Sequence, residues 1–113
     1  MSDCLFCRIV KGELPSTKVC EDDRVYAFED IAPKAPIHVL IVPKKHISTL
    51  NDLEPDDDQT VGHLVHTAAQ IARERGVDEV GYRTVFNVND VAGMVVPHIH
   101  LHLLGGRQLG GMG

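Results

Sequence analysis

In His98-Ile99-His100-Leu101-His102-Leu103-Leu104 an imidazole occupies every second position. An extended backbone alternates its side chains between two faces, so the pattern predicts a strand with His98, His100 and His102 on one face and Ile99, Leu101 and Leu103 on the other. At a rise of ~3.3 Å per residue successive rings stand roughly 6.6 Å apart, which suits groups gripping different atoms of one ligand. Three of the chain's seven histidines fall in these places. A merely solvated strand face would not concentrate so scarce a residue.

The neighbouring segments supply the rest of a sheet. Ile37 to Val42 is a β-branched run closed by Pro43 and apolar on both faces except for His38, which predicts an interior strand. Lys18 to Cys20 and Arg24 to Asp30 predict two strands around the acidic turn Glu21-Asp22-Asp23. Tyr82 to Val88 predicts another, joined to the histidine strand by the loop Asn89 to Pro97. Val61, Leu64, Val65, Ala68, Ile71 and Ala72 recur at helical spacing, with Asp56 to Asp58 at the positive end, Arg73 and Arg75 at the negative end and Gly76 just beyond. On that helix His63 and His66 fall on the solvent side. Cys4 to Val10 predicts a short helix ending at Gly12. Helices and strands do not alternate regularly, so the expected fold is α+β, an antiparallel sheet of about five strands with one long and one short helix.

A chain of 113 residues has room for one domain spanning 1–113, with Gly105 to Gly113 as a loosely held glycine-rich tail. No run approaches the ~18 apolar residues of a membrane helix, and Met1-Ser2-Asp3-Cys4-Leu5-Phe6 lacks a leader pattern, so a cytoplasmic protein without a membrane partner is expected. A net charge of -5, with no basic cluster larger than Lys44-Lys45, argues against a nucleic-acid partner. A small phosphate ester needs only a few local donors and stays in play.

Three cysteines cannot all pair within one chain, and a reducing compartment leaves Cys4, Cys7 and Cys20 as thiols or metal ligands. Cys4-x-x-Cys7 has the spacing of half a zinc site, for which His46 and His98 are candidate partners; the alternative is two cysteines packing a short helix. Cys20 reads as a small strand residue. For the three imidazoles two chemistries compete. One is a catalytic zinc centre. The other is nucleophilic attack on phosphorus, favoured because a neutral imidazole titrating near pH 7 can attack, leave and exchange protons in one cycle.

The motif resembles the signature of the histidine triad superfamily, His-φ-His-φ-His-φ-φ with φ apolar. Phe28-Glu29-Asp30-Ile31-Ala32-Pro33-Lys34-Ala35-Pro36-Ile37-His38, Val42-Pro43-Lys44-Lys45-His46-Ile47, Gly81-Tyr82-Arg83 and Leu104-Gly105-Gly106-Arg107 are similar to the Hint branch, the purine nucleoside phosphoramidases. The resemblance implies His100 as nucleophile, forming a nucleotidyl-histidine that water opens to a nucleoside monophosphate. It implies His102 on the phosphate oxygens, His98 and His38 supporting the catalytic group, Asn87 on the phosphate side, Asp30 on the ribose hydroxyls, and Ile31 and Phe28 as walls of a purine site. It further implies a homodimer whose sheets continue across the interface, and a structural zinc ion on Cys4, Cys7, His46 and His98, not needed for the chemistry. Gly93-Met94-Val95-Val96-Pro97 departs from the pattern. Relatives commonly carry Gln at the place of Met94 and Ser, Thr or Glu at that of Val95, so weaker help to the leaving group is expected. A purine nucleotide-binding module with weak activity and a dinucleoside polyphosphate hydrolase of the related Fhit branch are the competing functions.

Overall fold

In the computed structural model, which describes residues 4–113, five antiparallel strands form one sheet in the order β1-β2-β3-β5-β4. They are β1 (Lys18–Glu21), β2 (Val25–Glu29), β3 (Ile37–Pro43), β4 (Arg83–Val85) and β5 (Leu101–Gly105), with helices α1 (Leu5–Val10) and α2 (Asp58–Glu74). Met1, Ser2 and Asp3, to which the leader argument partly applied, lie outside the described residues. The α+β expectation holds, and β3 is the interior strand foreseen, paired with β2 on one side and β5 on the other.

Alternation along β3 separates two cores. Val39 and Ile41 point to the face covered by α2, where Leu64, Ala68, Ile71 and Ala72 pack against Val25, Ala27, Leu101 and Leu103. Leu40 and Val42 point to the other face, with Tyr26, Phe28 and the α1 residues Phe6 and Ile9. One-sided helices on a two-sided strand therefore leave the second face only partly covered, and that gap becomes the site.

The long helix starts just after a turn at Pro55–Asp57 whose Asp57 carboxylate accepts the Glu54 amide at 2.9 Å. It is followed by Gly76 at φ +74, where the Val77 amide returns to the Ala72 carbonyl. One member of the expected apolar stripe is misplaced: Val65 is 49% exposed. Thr67 is buried instead, its hydroxyl donating to the His63 carbonyl at 2.7 Å, because a back-bonded threonine satisfies its own polar atom and presents a methyl to the core. His63 does not simply face water; its Nε2 meets Asp22 at 2.6 Å.

Two strands are shorter than their sequence suggests. β4 has only three residues, all pairing with β5, so Phe86 to Val88 already belong to the following loop. β5 begins at Leu101, and His98 to His100 lead into it without ladder pairing. Gly105 ends β5 and is buried, and beyond it Arg83 Nη2 donates to the Gly110 carbonyl at 2.9 Å.

Candidate active site

The late start of β5 divides the three imidazoles. Without an extended backbone through His98, strict alternation does not apply there, and His98 does not share a surface with the other two. It is fully buried against α1 and the segment after β3, while His100 and His102, with ring centroids 4.9 Å apart, line a cavity. The expectation of three histidines on one face is corrected accordingly. What replaces it is a segment that serves two clusters.

The first cluster is built on α1. Cys4 caps that helix, its Sγ accepting the Cys7 amide at 3.3 Å. His98 Nδ1 lies 3.2 Å from Cys4 Sγ, 3.5 Å from Cys7 Sγ and 3.2 Å from His46 Nδ1, and Cys7 Sγ lies 3.3 Å from His46 Nδ1. His98 Nε2 donates to the Pro43 carbonyl at 2.8 Å, so in the neutral ring Nδ1 carries the lone pair. Burial keeps that ring neutral, with its pKa lowered to about 4. For zinc at ~2.3 Å from sulfur and ~2.0–2.1 Å from nitrogen, the nitrogen–nitrogen and sulfur–nitrogen edges of a tetrahedron run about 3.3–3.6 Å. The observed separations, and the convergence of two thiols and two ring nitrogens, fit such an ion.

The second cluster lies on the half-covered face of the sheet. The β3–β5 register sets Leu40 opposite His102 and His38 opposite Leu104, which makes His38 and His102 diagonal neighbours on that face. The Lys34 amide donates to His38 Nδ1 at 3.0 Å. His38 therefore carries its proton on Nε2, 2.9 Å from His102 Nδ1, and donates it there. His102 in turn carries its proton on Nε2. His100 Nδ1 donates to the His98 carbonyl at 2.7 Å, which leaves His100 Nε2 with its lone pair. Burial is the first cause lowering the pKa of all three rings, and for His102 it reaches about 4, with the neighbouring His100 and His38 adding to it. Asp30 opposes these shifts; its Oδ2 is 3.4 Å from His38 Nε2 while its Oδ1 accepts the Ala32 amide.

The cavity holds about 600 Å³, within the range of small-molecule sites. Phe28, Asp30, Ile31, His38, Asn87, Val95, His100 and His102 line it as expected, whereas Met94 and His98 are not among the lining residues. Met94 is half-buried, with its amide directed to the Asn89 carbonyl at 3.1 Å, so that amide is committed within the loop. Ile31 is 97% and Val95 87% exposed, at the rim. The sequence reading missed Leu5, Phe6 and Ile9, which make α1 a wall of the cavity. Their spacing of one and four is a helical stripe, the signal that could have found them. Phe6 stands edge-on to His100 and Phe28, with centroids 5.0 and 5.5 Å away.

A buried imidazole with one ring nitrogen committed and the other turned to an enclosed space, beside a second imidazole that donates, defines a class of protein: one equipped for nucleophilic attack by histidine on a small polar ligand. The chain belongs to the HIT domain family, whose pattern matches residues 11–109. The purine nucleoside phosphoramidase of Escherichia coli strain K12 is 46% identical to it over 110 residues, which is 97% of this chain and 92% of that protein. Among solved structures, a HIT family hydrolase from Legionella pneumophila Philadelphia 1 superposes with a TM-score of 0.92 at 54% identity, over 94% of this chain and 95% of the other. A histidine triad protein from Clostridium difficile superposes at 0.95 with 44% identity, over 100% and 98%. The expected family and HIT fold are thus met, and the chain stands among hydrolases.

Proposed function

We propose that this protein hydrolyses purine nucleoside phosphoramidates, or related nucleoside monophosphate derivatives, through a covalent nucleotidyl-histidine. The observation that carries the reading is the hydrogen bond from His100 Nδ1 to the His98 carbonyl, because it leaves Nε2 as the attacking atom. In the first step His100 Nε2 bonds to phosphorus, the P–N bond of the substrate breaks, and the departing amine takes up a proton. Positive charge builds on the attacking ring and is stabilised at Nδ1–H by the carbonyl. In the second step water attacks phosphorus, the bond to His100 breaks, and the nucleoside monophosphate leaves. The His102 Nε2–H holds a non-bridging oxygen through both steps, where charge develops. Asn87 assists on the phosphate side and Asp30 takes the ribose hydroxyls, while Phe28, Ile31 and the α1 wall enclose the purine.

Val95 at the rim is an apolar side chain where a proton donor would serve the leaving group, so the amine is protonated by water at the mouth of the cavity and turnover is attenuated. That residue also supports the second reading, a purine nucleotide-binding module with residual activity. Rapid-quench mass spectrometry with an adenosine phosphoramidate separates the two. The enzyme yields a protein adduct of one nucleoside monophosphate on His100, formed at least as fast as steady-state turnover; an adduct on another residue, or steady turnover with none, defeats the mechanism.

Cys4, Cys7, His46 and His98 would hold a zinc ion, which would cross-link α1 to the β5 approach as a structural element outside the attack on phosphorus. The β4 edge, beside the exposed Val80 and Tyr82, is the place for a second copy of the chain to extend the sheet into a homodimer. No described helix is long and apolar enough to cross a membrane.

A further inference from the structure

The turn between β2 and β3 is an exposed part of the cavity wall. Ile31, Ala32, Pro33 and Lys34 are all exposed, yet the Lys34 amide must stay in place to hold His38. The segment after β5 secures it at two points. Arg107 Nη2 donates to the Lys34 carbonyl at 2.7 Å. Gly106, at φ +94, lies so close to the same turn that a Cβ there would meet Pro36 Cβ at 2.9 Å. Only glycine accepts both that backbone conformation and that approach.

We propose that Arg107, outside the cavity, is a positioning residue that sets whether the phosphate-facing Nε2 of His102 carries a proton, acting through the backbone of Lys34 and the ring of His38. The proposal rests on the reading of His102 as the phosphate-holding imidazole. An amide N–H can only donate, so Lys34 selects the His38 tautomer with its proton on Nε2. That proton is given to His102 Nδ1, and His102 keeps an N–H at Nε2 for a phosphoryl oxygen. With Lys34 displaced, His38 is free to carry its proton on Nδ1. His38 Nε2 then accepts, His102 must protonate Nδ1, and its Nε2 turns a lone pair toward negatively charged oxygen. A single charge-assisted bond from an exposed arginine thus decides between a donor and a repulsive acceptor in the cavity.

The test is nitrogen NMR of the histidine rings in the full-length protein, run beside steady-state kinetics on an adenosine phosphoramidate, for the wild type, Arg107→Met, Arg107→Lys and Arg83→Met. Arg107→Met keeps the apolar stem and removes the donors. It is expected to give a mixed tautomer at His38 and a kcat about 3- to 10-fold lower, with KM within about twofold. Arg107→Lys is expected to restore the Nε2–H form and most of kcat. Arg83→Met removes the other tether of the tail, the bond to Gly110, and is expected to change neither readout. An unaltered His38 tautomer in Arg107→Met overturns the inference, and so does an equal loss of kcat in Arg83→Met. If the wild type turns over no phosphoramidate while the tautomer responds as described, the proposed function falls and the action of Arg107 on His38 stands.

Discussion

His98 and His102 lie four residues apart, and burial brings both rings to a pKa of about 4, yet they present opposite nitrogens to their surroundings. His98 commits Nε2 to the Pro43 carbonyl and turns an Nδ1 lone pair into the cysteine cluster. His102 commits Nδ1 to His38 and keeps an N–H at Nε2. Between them His100 commits Nδ1 to a carbonyl and aims a lone pair from Nε2. Burial makes each ring neutral; the partner of the other nitrogen assigns the task. In the proposed function one neutral ring serves as a metal ligand, one as a nucleophile and one as a donor, with no difference in residue type.

The largest effect separates nucleophile from ligand. His100→Ala is expected to lower phosphoramidate turnover by about 10⁴-fold or more while leaving bound zinc, measured by elemental analysis, unchanged. Loss of the metal together with activity would merge the two clusters into one and break the comparison. Next comes the cysteine side. Cys4→Ser is expected to abolish stoichiometric zinc and lower Tm by about 10 °C in calorimetry, the scale expected when a tightly held ligand is lost, with a smaller loss of turnover than in His100→Ala. A complete loss of turnover in the folded variant would place the metal in the chemistry.

The pH dependence of stability sharpens the role of burial. The folded pKa of His102, about 4, lies below the ordinary value of ~6.5, so the unfolded chain binds this proton first as pH falls. Stability from the neutral ring is therefore complete above pH ~6.5 and declines toward pH 4. Tm is expected to drop by about 5 °C over that window and to drop less in His102→Asn; equal drops would mean that His102 does not titrate as its burial implies. The smallest effect concerns the rim. Val95→Ser places a hydroxyl near the leaving group and is expected to raise kcat about 3- to 10-fold with little change in Tm. No gain would mean that water already meets the need there.

Periodicity made much of the fold legible. The run Ile37 to Val42, apolar on both faces except for His38, made an interior strand, and the α2 stripe fixed the helix except at Val65, where a threonine two residues along took the buried place. Strand ends were less legible, since β4 stops at Val85 opposite His102 although β5 reaches one residue further, to Leu101, and pairing length is not written in either strand alone. Most of the candidate site could be named from the motif and its resemblance, and the metal cluster could be named from Cys4-x-x-Cys7 with two distant histidines. The α1 wall went unnoticed because Leu5, Phe6 and Ile9 look like ordinary helix packing until the sheet face beside them is found only partly covered.

Residue types and their local order determined that this chain carries a histidine-rich strand approach, an antiparallel sheet and a thiol pair. Tertiary structure alone decided what each imidazole can do, because a ring's tautomer depends on which donor or acceptor reaches its other nitrogen. Of those partners, Pro43 and His38 are brought from distant parts of the sequence, while the His98 carbonyl and the Lys34 amide are local groups that the folded backbone turns toward the rings.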